Sequence, residues 1–474
     1  MNEFIWNVLD ELVSGLLLAA LALLPIALGV WLWHRKRGGS INWKRLIPLA
    51  LLVCYTVVVV KVTLFRAELT LAPNTHLFQA WREAWNDFSV RSWGNLLLNI
   101  AMFMPLGVLI HLSFPKCRGF RTVLVMVAAT VLLEGIQLFG SRGVFDVDDL
   151  FANVLGGLMG WCLLMAVLSA WGKKWFAGTA WFLLAMIPVA AVGGIFAAYH
   201  AQPYGNLPLS YTYKVNTEKI EWVLACDLPE AQATAVVYKA PSMTRDECDA
   251  YAERMAECWG GEYDDIYYYN EDYYYRDYDT NGWIYYLNIS RLDGSFGLWA
   301  QEKEYDYLNS DEEVVWADLS QAETEELLAD FGITIPEEAE FLGLVELYPG
   351  YTDDKSIVFS ADKLPIEGGM LDGTCYVEVT EDGSYLNVNN QLVTYVYHAD
   401  EPVISPEEAL KLLQDGCFGN GWRYTGTLSG QYTIESCALG YALDTKGFYQ
   451  PVYYFEVTSP DWYSTATILI PAIA

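Results

Sequence analysis

Six apolar runs, near Leu12–Trp33, Leu46–Phe65, Asn95–Ser113, Thr122–Phe139, Leu150–Trp171 and Gly178–Tyr199, fill most of the first 200 residues of this 474-residue chain. Each is close to the ~20 residues that carry a helix across a hydrocarbon core. Hydrocarbon offers backbone N–H and C=O groups no water, so a run of this kind must satisfy them within itself, as a helix. The predicted fold over residues 1–200 is an α-helical membrane bundle of six transmembrane helices. The first run reads as a membrane helix, because Asn2, Glu3, Asp10 and Glu11 stand where a cleavable leader carries basic residues and the run is too long for a leader core.

Lysine and arginine orient the bundle. Arg35, Lys36, Arg37, Lys44 and Arg45 join the first two runs, Lys116, Arg118 and Arg121 join the third and fourth, and Lys173 and Lys174 join the fifth and sixth. Every second loop is basic, which places those loops in the cytoplasm and both termini outside. Lys61 then lies toward the outer end of the second run, where its stem can snorkel or its ammonium can pair with Glu134.

The charge divides at the same boundary. Residues 1–199 carry a net +5 and residues 200–474 a net −36, giving −31 in all. So acidic an exterior half repels nucleic acid and anionic headgroups; it suits cations, cationic peptides or plain solubility. Cys226, Cys248, Cys258, Cys375, Cys417 and Cys437 lie in it, an even number that permits disulfides. Histidines are scattered and no close cysteine pair occurs, so no zinc site and no cofactor are expected.

Residues 201–208, including Gln202–Pro208, have linker composition. Beyond them, runs rich in Tyr, Val, Ile and Trp alternate with helices that open at Ser242-Met-Thr244-Arg-Asp-Glu247, Ser320-Gln-Ala-Glu323 and Ser405-Pro-Glu-Glu408. An extracytoplasmic α+β domain is predicted, with strands including Trp283–Ile289, Gln450–Val457 and Ala466–Ile470. Similar helix, turn and strand order suggests two related modules, 209–340 and 341–474. The tyrosine and aspartate tract 263–283 reads as a solvated hairpin turning at Asn281-Gly282, or as a surface that stacks on sugars or a cation.

Between the second and third runs, Leu77, Trp81, Trp85 and Phe88 recur at helical spacing. They describe either an interfacial helix on the outer leaflet or a short helix packed over the bundle.

The chemistry concentrates at one depth. Asn95 and Asn99 share a face of the third run, Glu134 and Gln137 a face of the fourth, Arg142, Asp146, Asp148 and Asp149 fill the next outer loop, and Asn153 opens the fifth run. Carboxylates within a span cost roughly 2.5–3.5 kcal/mol near its middle and less toward the interface, so such residues mark a polar site or interhelical contacts. Glu134 is expected to pair with Arg142, or with Arg66. Pro105 and Gly107 bend the third helix and let a neighbour approach, and Gly156-x-x-x-Gly160 favours close packing of the fifth.

The string Glu134-x-x-Gln137, Arg142, Phe145-Asp146-x-x-Asp149 and Asn153-x-x-Gly156-x-x-x-Gly160, with Asn95-x-x-x-Asn99 and Pro105-x-Gly107, resembles the VanZ-like membrane protein family over about residues 46–171. The resemblance implies a bacterial, multi-pass cell-membrane protein associated with resistance to glycopeptides of the teicoplanin type, and brings no established catalytic or binding residue. The family usually carries a variant of Asn-Leu-Ile-Pro-Phe after the second span, where this chain has Thr75-His-Leu-Phe78. The exterior half faintly resembles YycH/YycI-type regulatory ectodomains, through Ser405-Pro-Glu-Glu-Ala-Leu410 and Gly440-Tyr441 to Gln450-Pro-Val-Tyr-Tyr-Phe455.

Three functions are compatible with these residues. The first is a non-enzymatic envelope protein whose polar site, Asn95, Asn99, Glu134, Gln137, Arg142, Asp146, Asp149 and Asn153, binds a membrane lipid, a lipid-linked cell-wall intermediate or the tail of a glycopeptide, while the acidic domain meets an extracytoplasmic protein partner. The second is a membrane enzyme acting on a lipid headgroup, with Glu134 or Asp146 as general base and Arg142 on a phosphate. The third makes the bundle an anchor for a sensing domain.

Overall fold

The computed structural model describes the chain from Trp43 onward except residues 65–73, 115–118, 141–144, 209–213, 260–262, 268–272, 281, 303–314, 347–354, 420–427, 460–464 and 474; before Trp43 it describes only scattered helical positions between 13 and 36. Two compact units result, one built on Met1–Pro203 and the other on Tyr204–Gly419 with Leu428–Ala474.

The first unit contains helices α1 (Trp43–Leu64), α2 (Gln79–Asp87), α3 (Val90–Ser113), α4 (Phe120–Gly140), α5 (Val147–Trp171) and α6 (Trp175–Ala201). Among the described residues, Leu46–Thr63, Val90–Ser113, Val147–Trp171 and Trp175–Ala201 are long and apolar enough to cross a membrane. Among the described residues there are thus four candidate spans where six were predicted. The first run lies largely outside the described residues, and α4 occupies the fourth as a helix whose last side chains also fall outside them.

Glycines bring α3 and α5 together. A Cβ on Gly156 would stand 1.9 Å from the Ile100 carbonyl oxygen, one on Gly160 1.9 Å from that of Met104, and one on Gly107 1.9 Å from that of Gly157. Only a residue without a side chain fits at these three points, so the small-residue stripe forms a backbone-to-backbone contact. Pro105 lies inside α3 and cannot donate to the carbonyl one turn earlier. Tyr55 of α1 packs just before that proline, its hydroxyl donating to the Met102 carbonyl at 3.0 Å.

The short helix α2 packs over the bundle. Ala84 is fully buried, and Trp81 meets Trp93 edge-on at 6.1 Å, while the Phe88 and Tyr199 rings stack at 3.4 Å. Its tryptophans face helices, leaving Leu77 and Phe78 as the exposed apolar groups at its start. Lys61 donates to Ser14 of the first run.

The second unit is one 14-stranded sheet with helices packed on it. Its strands are β1 (Lys219–Leu224), β2 (Thr234–Lys239), β3 (Tyr263–Tyr267), β4 (Tyr273–Thr280), β5 (Trp283–Ser290), β6 (Phe296–Glu302), β7 (Glu340–Glu346), β8 (Lys355–Ile366), β9 (Gly369–Val379), β10 (Tyr385–Asn390), β11 (Val393–Pro402), β12 (Ser429–Leu443), β13 (Phe448–Thr458) and β14 (Ala466–Pro471). The main order is β1-β12-β13-β2-β11-β9-β10-β6-β5-β4-β3. β1 pairs with β12 in parallel, and β2 inserts between β13 and β11. Residues 209–340 and 341–474 therefore share a single interleaved sheet, because strands pair by register and burial and ignore the order in which a repeat presents them.

Local signals survive intact. Ser320 and Ser405 each close a capping box, with Glu323 and Glu408, on α8 (Gln321–Asp330) and α9 (Pro406–Gln414). Thr244 and Glu247 do the same at the start of α7 (Arg245–Trp259). The tyrosine tract turns as a hairpin, with Thr280 opposite Trp283 and Gly282 at φ +90°. The core combines Leu287, Ile289 and Leu298 of β5 and β6 with Ile357, Phe359 and Val377 of β8 and β9, closed by Met255 of α7 and Leu328 of α8. The six cysteines of the second unit, Cys226, Cys248, Cys258, Cys375, Cys417 and Cys437, are all free thiols. Part of the predicted linker is docked, since Gly205 donates to the fully buried Asp444 at 2.6 Å and Gln450 donates to the Gly205 carbonyl at 3.1 Å.

Candidate functional site

Asp146, Asp148 and Asp149 open α5 and tie four separate elements to its first turn. Asp146 is the N-cap, its Oδ1 accepting the Asp148 N–H at 2.7 Å and the Asn74 Nδ2–H at 2.8 Å. The Asn74 backbone completes the bridge, donating to the Phe145 carbonyl at 2.8 Å and accepting from Val147 at 3.2 Å. Asn74 Oδ1 also takes the His76 N–H at 2.9 Å, an Asx turn that starts the climb into α2.

Asp148 serves a different helix from the one it stands on. Fully buried, it accepts the Phe78 N–H at 2.5 Å on Oδ1 and the Ala80 N–H at 2.7 Å on Oδ2. Phe78 is the N-cap of α2, has no capping side chain of its own and sits in the left-handed region at φ 67°. A helix start leaves N–H groups without intrahelical partners, and a carboxylate there is also favoured by the helix dipole. The capping group of α2 is thus supplied from about 70 residues further along the chain.

Two further bonds draw in α3 and α4. Asn99 Nδ2 donates to Asp149 Oδ1 at 2.6 Å, and the Asp146 N–H reaches Glu134 Oε2 at 3.5 Å. Glu134 is 2% exposed and Asn153 3%, and the Asn153 Oδ1 has no hydrogen-bond partner among the described residues. Asn99, Glu134, Asp146 and Asp149 are therefore linked around the first turn of α5, with Asn153 one turn further along that helix. Asn95 does not join them: it is exposed, one turn before Asn99, the residue of α3 that reaches Asp149. Gln137 is helical with its side chain outside the described residues, and Arg142 and Arg66 lie outside them altogether. No three of these carboxylates are placed to share a metal ion among the described residues.

A groove of about 640 Å³ lies further along the same helices, between α1, α3 and α5, with Tyr55, Val58, Met104, Pro105, Leu109 and Leu163 among its lining. From Asn99 to Met104 and from Asn153 to Gly160 the helices rise about 8 and 10 Å at 1.5 Å per residue. A polar hub and an apolar groove thus succeed one another along α3 and α5.

A family model described as VanZ/LLP1 matches residues 16–169. The Protein VanZ of Enterococcus faecium is 22% identical over 119 residues, which cover 24% of this chain and 72% of that one. The chain carries a VanZ-like domain. With its apolar helices, this identifies a membrane protein. The VanZ-like region ends within two residues of the predicted limit but begins 30 residues earlier, so it includes the first apolar run. Every hub residue falls inside it.

A solved cysteine-rich secretory protein of Staphylococcus aureus subsp. aureus Mu50 aligns at 10% identity and a TM-score of 0.13, over 41% of this chain and 62% of that one. A similarity so low bears on neither fold nor function.

Reading by sequence left out two members of the VanZ-like hub, Asn74 and the capping role of Asp148. The Asn74-Thr-His76 start was a detectable Asx-turn signal, whereas nothing in the sequence around Phe78 announces that its cap comes from Asp148.

Proposed function

We propose that this VanZ-like protein is a six-span, multi-pass protein of the bacterial cell membrane with both termini and the acidic domain outside, and that its hub and groove together bind an amphiphile. The polar part of such a molecule, a lipid-linked cell-wall intermediate or a glycopeptide with a lipid tail, meets Glu134 and Asn153, and its hydrocarbon lies against Met104, Pro105 and Leu109. The observation that carries this reading is the succession of a buried, under-satisfied polar cluster and an apolar groove on the same two helices. A buried carboxylate and an unpartnered buried amide oxygen are costly inside an apolar bundle, and a bound polar group would offset that cost. The acidic domain is assigned to recognition of an extracytoplasmic partner.

Glycopeptide susceptibility tests the reading. Glu134→Gln and Arg142→Ala, expressed at wild-type level, are expected to remove the protein's effect on teicoplanin-type inhibition, and Val108→Trp, which fills the groove without touching the hub, to do the same. Wild-type susceptibility in all three would refute the proposal.

A further inference from the structure

The second unit holds a half-open polar cavity unrelated to the VanZ-like hub. It measures about 390 Å³ and is lined by Ser290, Asp293, Asp372, Gln391, Tyr395 and Tyr449, with neither lysine, arginine nor histidine in its wall. Ser290 ends β5, Asp293 stands in the β5–β6 turn, Asp372 and Tyr395 come from β9 and β11, and Tyr449 from β13. The sheet thus brings together four strands that are far apart in sequence.

The walls are rich in acceptors that the protein leaves open. Asp293 uses Oδ1 for the Ser295 N–H at 3.1 Å and the Ser295 hydroxyl at 2.7 Å, and its Oδ2 has no partner among the described residues. Asp372 accepts the Tyr449 hydroxyl at 2.7 Å and the Lys363 backbone N–H at 3.0 Å, while the Lys363 ammonium turns to Asp362 at 2.9 Å. Lys239 is also committed, donating to the Lys446 carbonyl with its ammonium 4.4 Å over the Phe448 ring. Tyr395 is 6% exposed, and its hydroxyl makes no hydrogen bond among the described residues. The ring is buried while the hydroxyl opens on the cavity, so its oxygen is available to a bound donor. Its ring stacks on that of Tyr449 at 4.1 Å and 10°, which offers an electron-rich face to a cation.

We propose that this cavity binds an organic ammonium group. An ammonium has three donors and no acceptor, and the open positions on Asp293 Oδ2, Asp372 and the Tyr395 oxygen complement it. An anion would meet two carboxylates and no cation. Burial and the neighbouring Asp293 and Asp372 charges hold the Tyr395 phenol well above its ordinary range, as expected where the local potential is negative.

The test uses the full chain in neutral detergent and isothermal titration with putrescine, against glucose and calcium chloride at matched ionic strength. Putrescine is expected to bind saturably, and Asp293→Asn to weaken it by about tenfold or more, the effect of losing one charge-assisted contact. Tyr395→Phe, which keeps the ring stack and removes only the open hydroxyl, is expected to weaken it severalfold. Glu253→Gln, an exposed acid on α7, controls for attraction to the general negative charge and should leave binding unchanged. Equal putrescine binding by wild type, Asp293→Asn and Tyr395→Phe, or saturable binding of glucose or calcium in place of putrescine, overturns the assignment.

Discussion

Removing the Asp148 carboxylate should release the start of α2 while the rest of the bundle stays folded. Two backbone N–H groups, those of Phe78 and Ala80, depend on it, at 2.5 and 2.7 Å. A hydrogen bond to a charged group contributes about 1.5–3 kcal/mol. Phe78 is 43% exposed, so water can replace part of what is lost, and about 2–4 kcal/mol is a reasonable range for Asp148→Ala. At about 1.36 kcal/mol per factor of ten, that corresponds to roughly 30- to 1000-fold faster local opening. Amide hydrogen exchange followed by mass spectrometry over residues 74–87 reads it directly. Asp149→Ala provides the contrast, since it removes the Asn99 contact and leaves both α2 donors their acceptor. Wild-type exchange at Phe78 and Ala80 in a folded Asp148→Ala protein would refute the capping argument.

Gly156→Ala places a Cβ 1.9 Å from the Ile100 oxygen, 1.1 Å inside the 3.0 Å that real Cβ contacts keep, so α3 and α5 must part; a loss of about 1–3 kcal/mol is expected as a lower thermal midpoint in detergent. Gly135→Ala, with nothing within 4 Å, should leave that midpoint unchanged. Burial pushes the Tyr441 phenol up to about 12 and raises Tyr395 and Tyr449 further. Groups raised in the folded state add stability below their unfolded value near 10 and lose it as pH rises past that value, so tyrosinate absorbance from these three should appear late and together with alkaline unfolding. Glu247 and Glu323 are held below the ordinary carboxylate range by hydrogen bonds from Thr244 and Ser320. Their capping contribution is present above pH 4.5 and lost as pH falls through their folded values, so Glu323→Gln should flatten the acid limb of a helix-signal titration.

Sequence by itself determined what depends on neighbours along the chain. Apolar length marked the long helices, Ser320 and Ser405 announced their caps, and Asn281-Gly282 announced a hairpin. Each of these is written within a turn or two of backbone. The hub was legible only as composition: acids and amides at one depth, without their partners. Which donor meets which acceptor was decided by folding, because Asn74 and Asp146 are 72 residues apart and Ala80 and Asp148 are 68 apart. Tertiary structure also decided that the predicted two modules interleave in one sheet, and that Tyr395 and Tyr449 stack beside an aspartate of β9 and another from the β5–β6 turn. Strand pairing across hundreds of residues depends on burial and register summed over the whole domain, and no local pattern encodes that sum.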